Sequence, residues 1–261
     1  LCCALQALKP MSKTISIIGF GNLGSHLYEM CTRNAGFTNV QVIAPAASPA
    51  KPGEPPLLSW GEAPETEVYF LAVPDEKIPE TAEKIPQTQA LVIHSSGALP
   101  LKAIPQPRRA VLYPLETFTK GMETDYKRIP FFLEASDDQS LAFLEALTTR
   151  IGKTGQYLRS EARLKLHLAA VLSNNFVNHL LYLSQCLLAE IDVDLHQLRP
   201  LLDSTLRKAF FQGPKASQTG PAVRGDRKTI EKHLALAEHK KLQSLYEAVT
   251  ESIIETHEST L

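Results

Sequence analysis

The stretch "TISIIGFGNLGSHLYEM", Thr14–Met30, decides the fold. Its apolar, β-branched run Ile15–Phe20 reads as a buried parallel strand, and Asn22–Arg33 reads as a helix. Between them lies Gly19-x-Gly21-x-x-Gly24. The first glycine permits the tight turn out of the strand, the second leaves room for a pyrophosphate to approach the backbone, and the third lets the helix pack closely on the sheet. The free N–H groups and partial positive charge of the helix amino end complete an anion site. Gly19, Phe20, Gly21, Asn22, Leu23 and Gly24 are therefore candidates for cradling a dinucleotide.

Outward from this turn the pattern continues. Val40–Ile43, Val68–Val73, Ala90–His94, Ala110–Tyr113 and Phe131–Glu134 read as further strands, and Leu141–Arg150 as a helix. The Pro/Ala-rich "APAASPAKPGEPP" reads as a loop. Alternating buried strands and helices predict an α/β Rossmann-type, doubly wound parallel sheet. Helical stretches without convincing strands come next, near 160–190, 194–211, 226–238 and 239–258. The expected organisation is a dinucleotide-binding domain over 11–157 and an all-helical substrate and dimerisation domain over 158–261. Met11 reads as a natural start, so residues 1–10 are expected to be an extension without function.

Composition narrows the class. Of 261 residues, 44% are hydrophobic and 21% charged, which fits a globular protein able to bury a core. A net charge of −1 without a basic block argues against nucleic-acid binding. Four scattered cysteines make neither a disulfide framework nor a metal site, and fit a reducing cytoplasm. No run of eighteen apolar residues is present to span a membrane, and no signal peptide is evident.

The cofactor's identity turns on the end of the second strand. An NAD site usually places an acid there for the ribose 2′-hydroxyl, whereas this chain reads Val42-Ile43-Ala44-Pro45-Ala46 and has no acid between Gly36 and Lys51. With Ser48 and Lys51 as possible 2′-phosphate contacts, the reading is NADP, with NAD as the alternative.

Further along, "LHLAAVLSNNFVNHLLYL", Leu166–Leu183, carries a polar stripe. At about 100° per residue, Asn174 and Asn178 each fall about 20° from His167, and apolar residues cover most other directions. A helix apolar nearly all round is expected to be buried. Its stripe then either finds neighbouring or dimer partners or lines a substrate cleft. In "GPKASQTGPAVRGDRKTIEKH", Gly213–His233, Asp226 reads as a helix N-cap. Gln218, Thr219, Arg224 and Asp226 read either as ligand contacts or as a capped loop with an Arg–Asp pair.

Six blocks, "IIGFGNLGSHL", "VIHSSGALP", "LYPLETFTK", "IPFFLEAS", "KLHLAAVLSNNFVNHL" and "KASQTGPAVRGD", together resemble a bacterial family of NADP oxidoreductases. Its members join a Rossmann-like domain to an all-helical C-terminal domain of unknown function, within the 6-phosphogluconate dehydrogenase/ketopantoate reductase-like superfamily. The likeness covers nearly all of residues 13–258. It implies a homodimer built through the helical domain and an active site between the domains.

The chain departs from the superfamily in one respect. Relatives place a catalytic lysine one turn before an asparagine of the first long helix, but Ala170 and Val171 stand one turn before Asn174. Lys165 lies on the opposite side. His167 is the first candidate for the proton donor and His94 the second, with Asn174 and Asn178 beside them. An imine substrate, as in pyrroline-carboxylate reductase, relaxes the need for a strong acid. Tyr113 and Thr117 of "VLYPLETF" are candidate substrate contacts, with Thr219, Arg224 and Asp226. Val73, Pro74, Ser95, Ser96 and Gly97 are expected to flank the ribose and nicotinamide.

The expected activity is hydride transfer between NADP(H) and a small polar metabolite, a keto or hydroxy acid or an imine, in a cytoplasmic homodimer without metal. The alternative is a non-catalytic dinucleotide-binding or sensing protein whose helical domain serves dimerisation.

Overall fold

The computed structural model describes residues 13–44, 53–62, 66–86 and 89–258. Ser48, Lys51 and the 1–10 extension lie outside the described residues. In chain order the main elements are β1 (Ile15–Ile18), α1 (Asn22–Glu29), β2 (Val40–Ile43), β3 (Leu57–Leu58), β4 (Val68–Leu71), α2 (Ile78–Glu83), β5 (Leu91–His94), β6 (Arg109–Pro114), β7 (Phe131–Ala135), α3 (Asp138–Arg150) and β8 (Gln156–Tyr157). The helices α4 (Ser160–Ala170), α5 (Phe176–Ala189), α6 (Arg199–Gln212), α7 (Arg227–Leu236) and α8 (Lys240–Glu258) complete the chain. By its packing the chain divides between Phe176 and Val177. The expected boundary after residue 157 thus differs from the observed division, because α4 is bound into the first unit.

The sheet order is β3-β2-β1-β4-β5-β6-β7-β8. From β1 the chain first moves to one side, through β2 and β3, and then returns to the other side at β4. That reversal places a crevice at the carboxyl ends of β1 and β4, where open α/β sheets bind ligands. Pairing is parallel except between β6 and β7, where Tyr113 stands opposite Phe132 in an antiparallel register. A parallel return needs a long crossover, usually helical. The segment between these strands holds only the short turn Tyr126–Arg128, so β7 comes back antiparallel.

Side-chain alternation sorts the core onto the two faces of the sheet. Ile15, Ile17, Phe70, Ile93 and Leu112 pack with Leu27 of α1 and Leu144 and Leu147 of α3. Ile18, Leu71 and Val92 pack with Ile78 and Ala82 of α2. Both faces are covered, which explains why the strands are mostly apolar rather than alternating.

The glycine turn lies at the crevice. Gly19 has φ +99°, a conformation open to glycine at little cost. A Cβ there would lie 2.5 Å from the Ala72 carbonyl oxygen, and one on Gly24 would lie 2.1 Å from the Gly19 carbonyl oxygen. Around Gly21 a Cβ would meet nothing within 4 Å. Two glycines therefore close the strand–helix packing, and the middle one faces open space.

One expectation is corrected. Among the described residues, the helical stretch after Ser160 is not buried. Leu168, Leu172, Phe176 and Leu180 are 58%, 54%, 53% and 43% exposed, and Arg163 is the buried residue of α4. Helical periodicity reports that a face is apolar, but not whether the same chain covers it.

Gly24→Ala forces α1 off the sheet and is expected to lower stability by about 1–3 kcal/mol, whereas Gly21→Ala leaves it nearly unchanged. Urea denaturation of the two variants checks this contrast.

Candidate functional site

Arg163, wholly buried on α4, ties the candidate site together. Its Nη1 donates to Glu134 of β7, its Nε to the Ser96 carbonyl at 3.2 Å, and its Nη2 to the Leu99 carbonyl at 2.6 Å. Ser160 extends the network, donating to Glu134 at 2.7 Å and accepting from the Leu101 N–H at 2.9 Å. A buried guanidinium is tolerable only when paired and hydrogen-bonded in this way. The consequence is positional, because four residues later the same face of α4 carries His167.

The His167 Nδ1 lies 3.0 Å from the Tyr113 hydroxyl at the end of β6, with the rings edge-on at 6.0 Å. A Cβ on Gly97 would stand 2.6 Å from the imidazole, so glycine is what lets the ring lie against the 95–97 loop. Among the described residues no partner engages the His167 Nε2. Burial pushes the Tyr113 phenol up from its ordinary value, against the opposing pull of Arg163, so the hydroxyl keeps its proton.

Both rings line a cavity of about 640 Å³. Asn22 and Leu23 from the first turn of α1, Ser95, Glu116, Thr117 and Asn174 share its wall. Asn174 donates from Nδ2 to the Thr117 Oγ1 at 2.9 Å. Among the described residues the Ser95 Oγ is buried without a hydrogen-bond partner, a polar atom that a bound ligand would satisfy.

The amino end of α1 fits a dinucleotide diphosphate. No side chain caps the helix, its first turn holds no acid, and the space over Gly21 is open. Those features favour an anion at this end.

The structure therefore brings His167, Tyr113, Thr117, Asn174, Ser95, Asn22 and Leu23 to one cavity. It places other expected residues elsewhere. His94 is not a cavity residue: its ring is fully buried, and its Nδ1 accepts from the Ser96 N–H at 3.1 Å. Burial, with the positive Arg163 nearby, lowers its pKa to about 4, so it is a neutral structural histidine. Ser96 is committed to its turn, donating to Asp75 at 2.5 Å and accepting from the Ala98 and Leu99 N–H groups. Val73 packs against the core beside the glycine turn, and Pro74 opens the short helical turn after β4.

Asn178, Thr219, Arg224 and Asp226 belong to the second unit. There Asp226 caps α7, accepting from the Thr229 N–H at 3.1 Å and from its hydroxyl at 2.7 Å, as the sequence predicts. Those bonds hold its carboxyl below the ordinary value.

Sequence reasoning missed Arg163 and Glu134. The signal was present for the first, since Arg163 lies about 40° from His167 on the helical wheel and extends the polar stripe. Glu134 carried none, because its role depends on a strand and helix meeting in space.

Sheet order, glycine turn and the helices that follow the sheet in the chain define a Rossmann-type protein. A domain of unknown function, DUF2520, matches residues 129–253. A protein from Bacteroides fragilis, described as a putative NADP oxidoreductase, is 34% identical, with 94% of this chain and 98% of that one covered and a TM-score of 0.83. The chain belongs to the family of that protein. A Thermotoga maritima structure is 23% identical over 95% of this chain and 99% of its own, with a TM-score of 0.68. The fold is shared with pyrroline carboxylate reductase of Plasmodium falciparum, whose structure has NADP bound, at 11% identity, 95% and 99% coverage and a TM-score of 0.59. No curated protein matches the sequence.

His94 predicts an acid-sensitive fold. Its folded pKa of about 4 lies below the ordinary 6.5, so protons bind the unfolded chain first. Stability is full above about 6.5 and falls as the pH drops toward about 4. Denaturation midpoints measured across that window should decline in the natural protein and flatten in His94→Gln.

Proposed function

We propose that this protein is an NADP-dependent oxidoreductase acting on a small polar metabolite, a keto or hydroxy acid or a cyclic imine, with His167 as the proton donor. One observation carries the reading: the first turn of α1, next to the glycine turn, and the Tyr113–His167 pair line the same cavity. The NADP oxidoreductase description of the Bacteroides relative and the NADP in the Plasmodium reductase support the choice of cofactor.

When bound, the dinucleotide supplies or accepts a hydride. The chain's own residues would do the rest. Gly19, Gly21 and the N–H groups of Asn22, Leu23 and Gly24 would hold the diphosphate. The imidazolium of His167 donates Nδ1–H to the Tyr113 oxygen and presents Nε2–H to the substrate carbonyl or imine. After transfer, the neutral ring keeps its Nδ1–H on Tyr113, which fixes the tautomer and the ring plane. The pair thereby supplies a general acid where superfamily relatives use lysine. Asn174, oriented by Thr117, offers the cavity an amide for a substrate hydroxyl or carboxylate.

Among the described residues no helix is long and apolar enough to cross a membrane. A homodimer is part of the proposal. Leu168, Leu172, Phe210 and Phe211 are 58%, 54%, 91% and 86% exposed, and exposure of this kind marks surfaces that another chain covers.

Fluorescence titration with NADPH tests the cofactor: the natural protein binds, and Gly21→Ala loses most of that affinity while remaining folded. With a panel of keto acids and cyclic imines, His167→Gln should lower turnover about 10²–10⁴-fold at unchanged NADPH affinity, and Tyr113→Phe should fall between the two. Undiminished turnover in His167→Gln removes the proton-donor assignment. Binding without turnover on any substrate favours the sensing protein, a reading motivated by a cavity wall without lysine or arginine among the described residues. Sedimentation of the natural chain and of Leu172→Glu tests the dimer.

A further inference from the structure

The glycine turn and α1 bring no exposed cation of their own to a doubly charged diphosphate. Thr14–Met30 contains no lysine or arginine. Its one histidine, His26, is buried, with its Nε2 on the Thr119 carbonyl at 2.9 Å and its Nδ1 at 3.0 Å from the Tyr126 hydroxyl. A helix amino end offers only about half a charge.

The missing charge arrives from a distant part of the chain. Lys120 donates its backbone N–H to the Asn22 Oδ1 at 3.1 Å and its ammonium to the Phe20 carbonyl at 3.3 Å. The ammonium lies 4.5 Å from the centre of the Phe20 ring. The ammonium therefore rests on the middle of Gly19-Phe20-Gly21, and the Lys120 backbone is held at the first residue of α1. This placement is anchored from below. Phe118 stacks on His26 at 4.7 Å, and His26 holds the Thr119 carbonyl next in the chain.

A second charge meets the first. The Lys120 ammonium pairs with Glu54 at 2.8 Å. Glu54 follows the second strand in sequence, so an acid absent from the strand's end meets Lys120 at the glycine turn. Left alone it would repel a phosphate. The Lys120 side chain is 37% exposed and that of Glu54 19%. Ion pairs at such exposure contribute little to stability, so a more highly charged anion can displace the carboxylate.

We propose that Lys120 is a diphosphate-binding residue of the dinucleotide site, kept in place over the glycine turn by Glu54 until the cofactor takes over the ammonium. The inference rests on the dinucleotide reading of the site. Glu54 has two effects: it holds the lysine extended toward the turn, and it opposes the incoming phosphates.

The test is a titration of the full chain with NADPH and with NADH, at low and high salt, by cofactor fluorescence. Lys120→Ala should weaken both cofactors alike, on the order of ten-fold or more, and should flatten the salt dependence of binding. Lys120→Arg should restore most of the affinity. Glu54→Gln should tighten both several-fold. Melting curves identify any variant that has lost its fold, and Lys120→Gln then replaces Lys120→Ala. Unchanged affinity and salt dependence in the lysine variants overturn the proposal while leaving the dinucleotide reading intact. A loss confined to NADPH overturns it as well, since the lysine would then serve the 2′-phosphate. Failure of the natural protein to bind either cofactor overturns the dinucleotide reading and this proposal with it.

Discussion

A single buried guanidinium holds the candidate site in register. Arg163 reaches β7 through Glu134 and the 95–99 loop through two carbonyls. In so buried a setting the ion pair gains from Coulomb attraction but must first overcome desolvation, so its net contribution to stability is modest. Losing one partner is far more costly, since an unpaired charge would remain inside the protein. The pair therefore specifies one docking of α4 on the sheet, and His167 inherits its position from that docking.

The cavity combines two kinds of order. On one wall stands the first turn of α1, next to the glycine turn, a backbone feature whose place depends on the close strand–helix packing at Gly19 and Gly24. The opposite wall carries side chains whose geometry is secured by others: Tyr113 orients His167, Gly97 gives the ring room, and Thr117 orients Asn174. These polar groups are thus each fixed by a second group behind them. Groups held this way are preorganised, which lowers the cost of reaching a reactive arrangement.

Much of this was legible in the sequence. Strand after strand announced itself because both faces of the sheet are covered, so runs such as Ile15–Ile18 and Leu91–His94 are rich in apolar residues with no inside–outside alternation. The glycine spacing identified the crevice because each glycine answers a local steric demand. His167 and Asn174 were legible because periodicity places residues on a face. The rest required long-range knowledge. Glu134 looks like any acid on a strand, and Lys120 is separated from the turn it touches by nearly a hundred residues. His94 shows the converse. Its place at the carboxyl end of a strand suggested chemistry, but burial beside Arg163 turns it into a packing residue. The exposure of Leu168 and Leu172 was invisible for a different reason, since a sequence pattern does not say which chain covers an apolar face.

Between α4 and α5 the backbone makes one wide π-helical turn, Val171–Asn175. Such a turn accommodates one residue more than an α-helix of equal length. It works as a vernier between two periodicities: residues before it keep the phase set by Arg163, and residues after it start afresh. Asn174 sits inside the turn and reaches Thr117, so the amide in the cavity is aimed by a local change of pitch. The grip of α4 on the sheet and the aim of Asn174 are thus set by separate stretches of one helix, the first by a buried charge and the second by the pitch of a single turn.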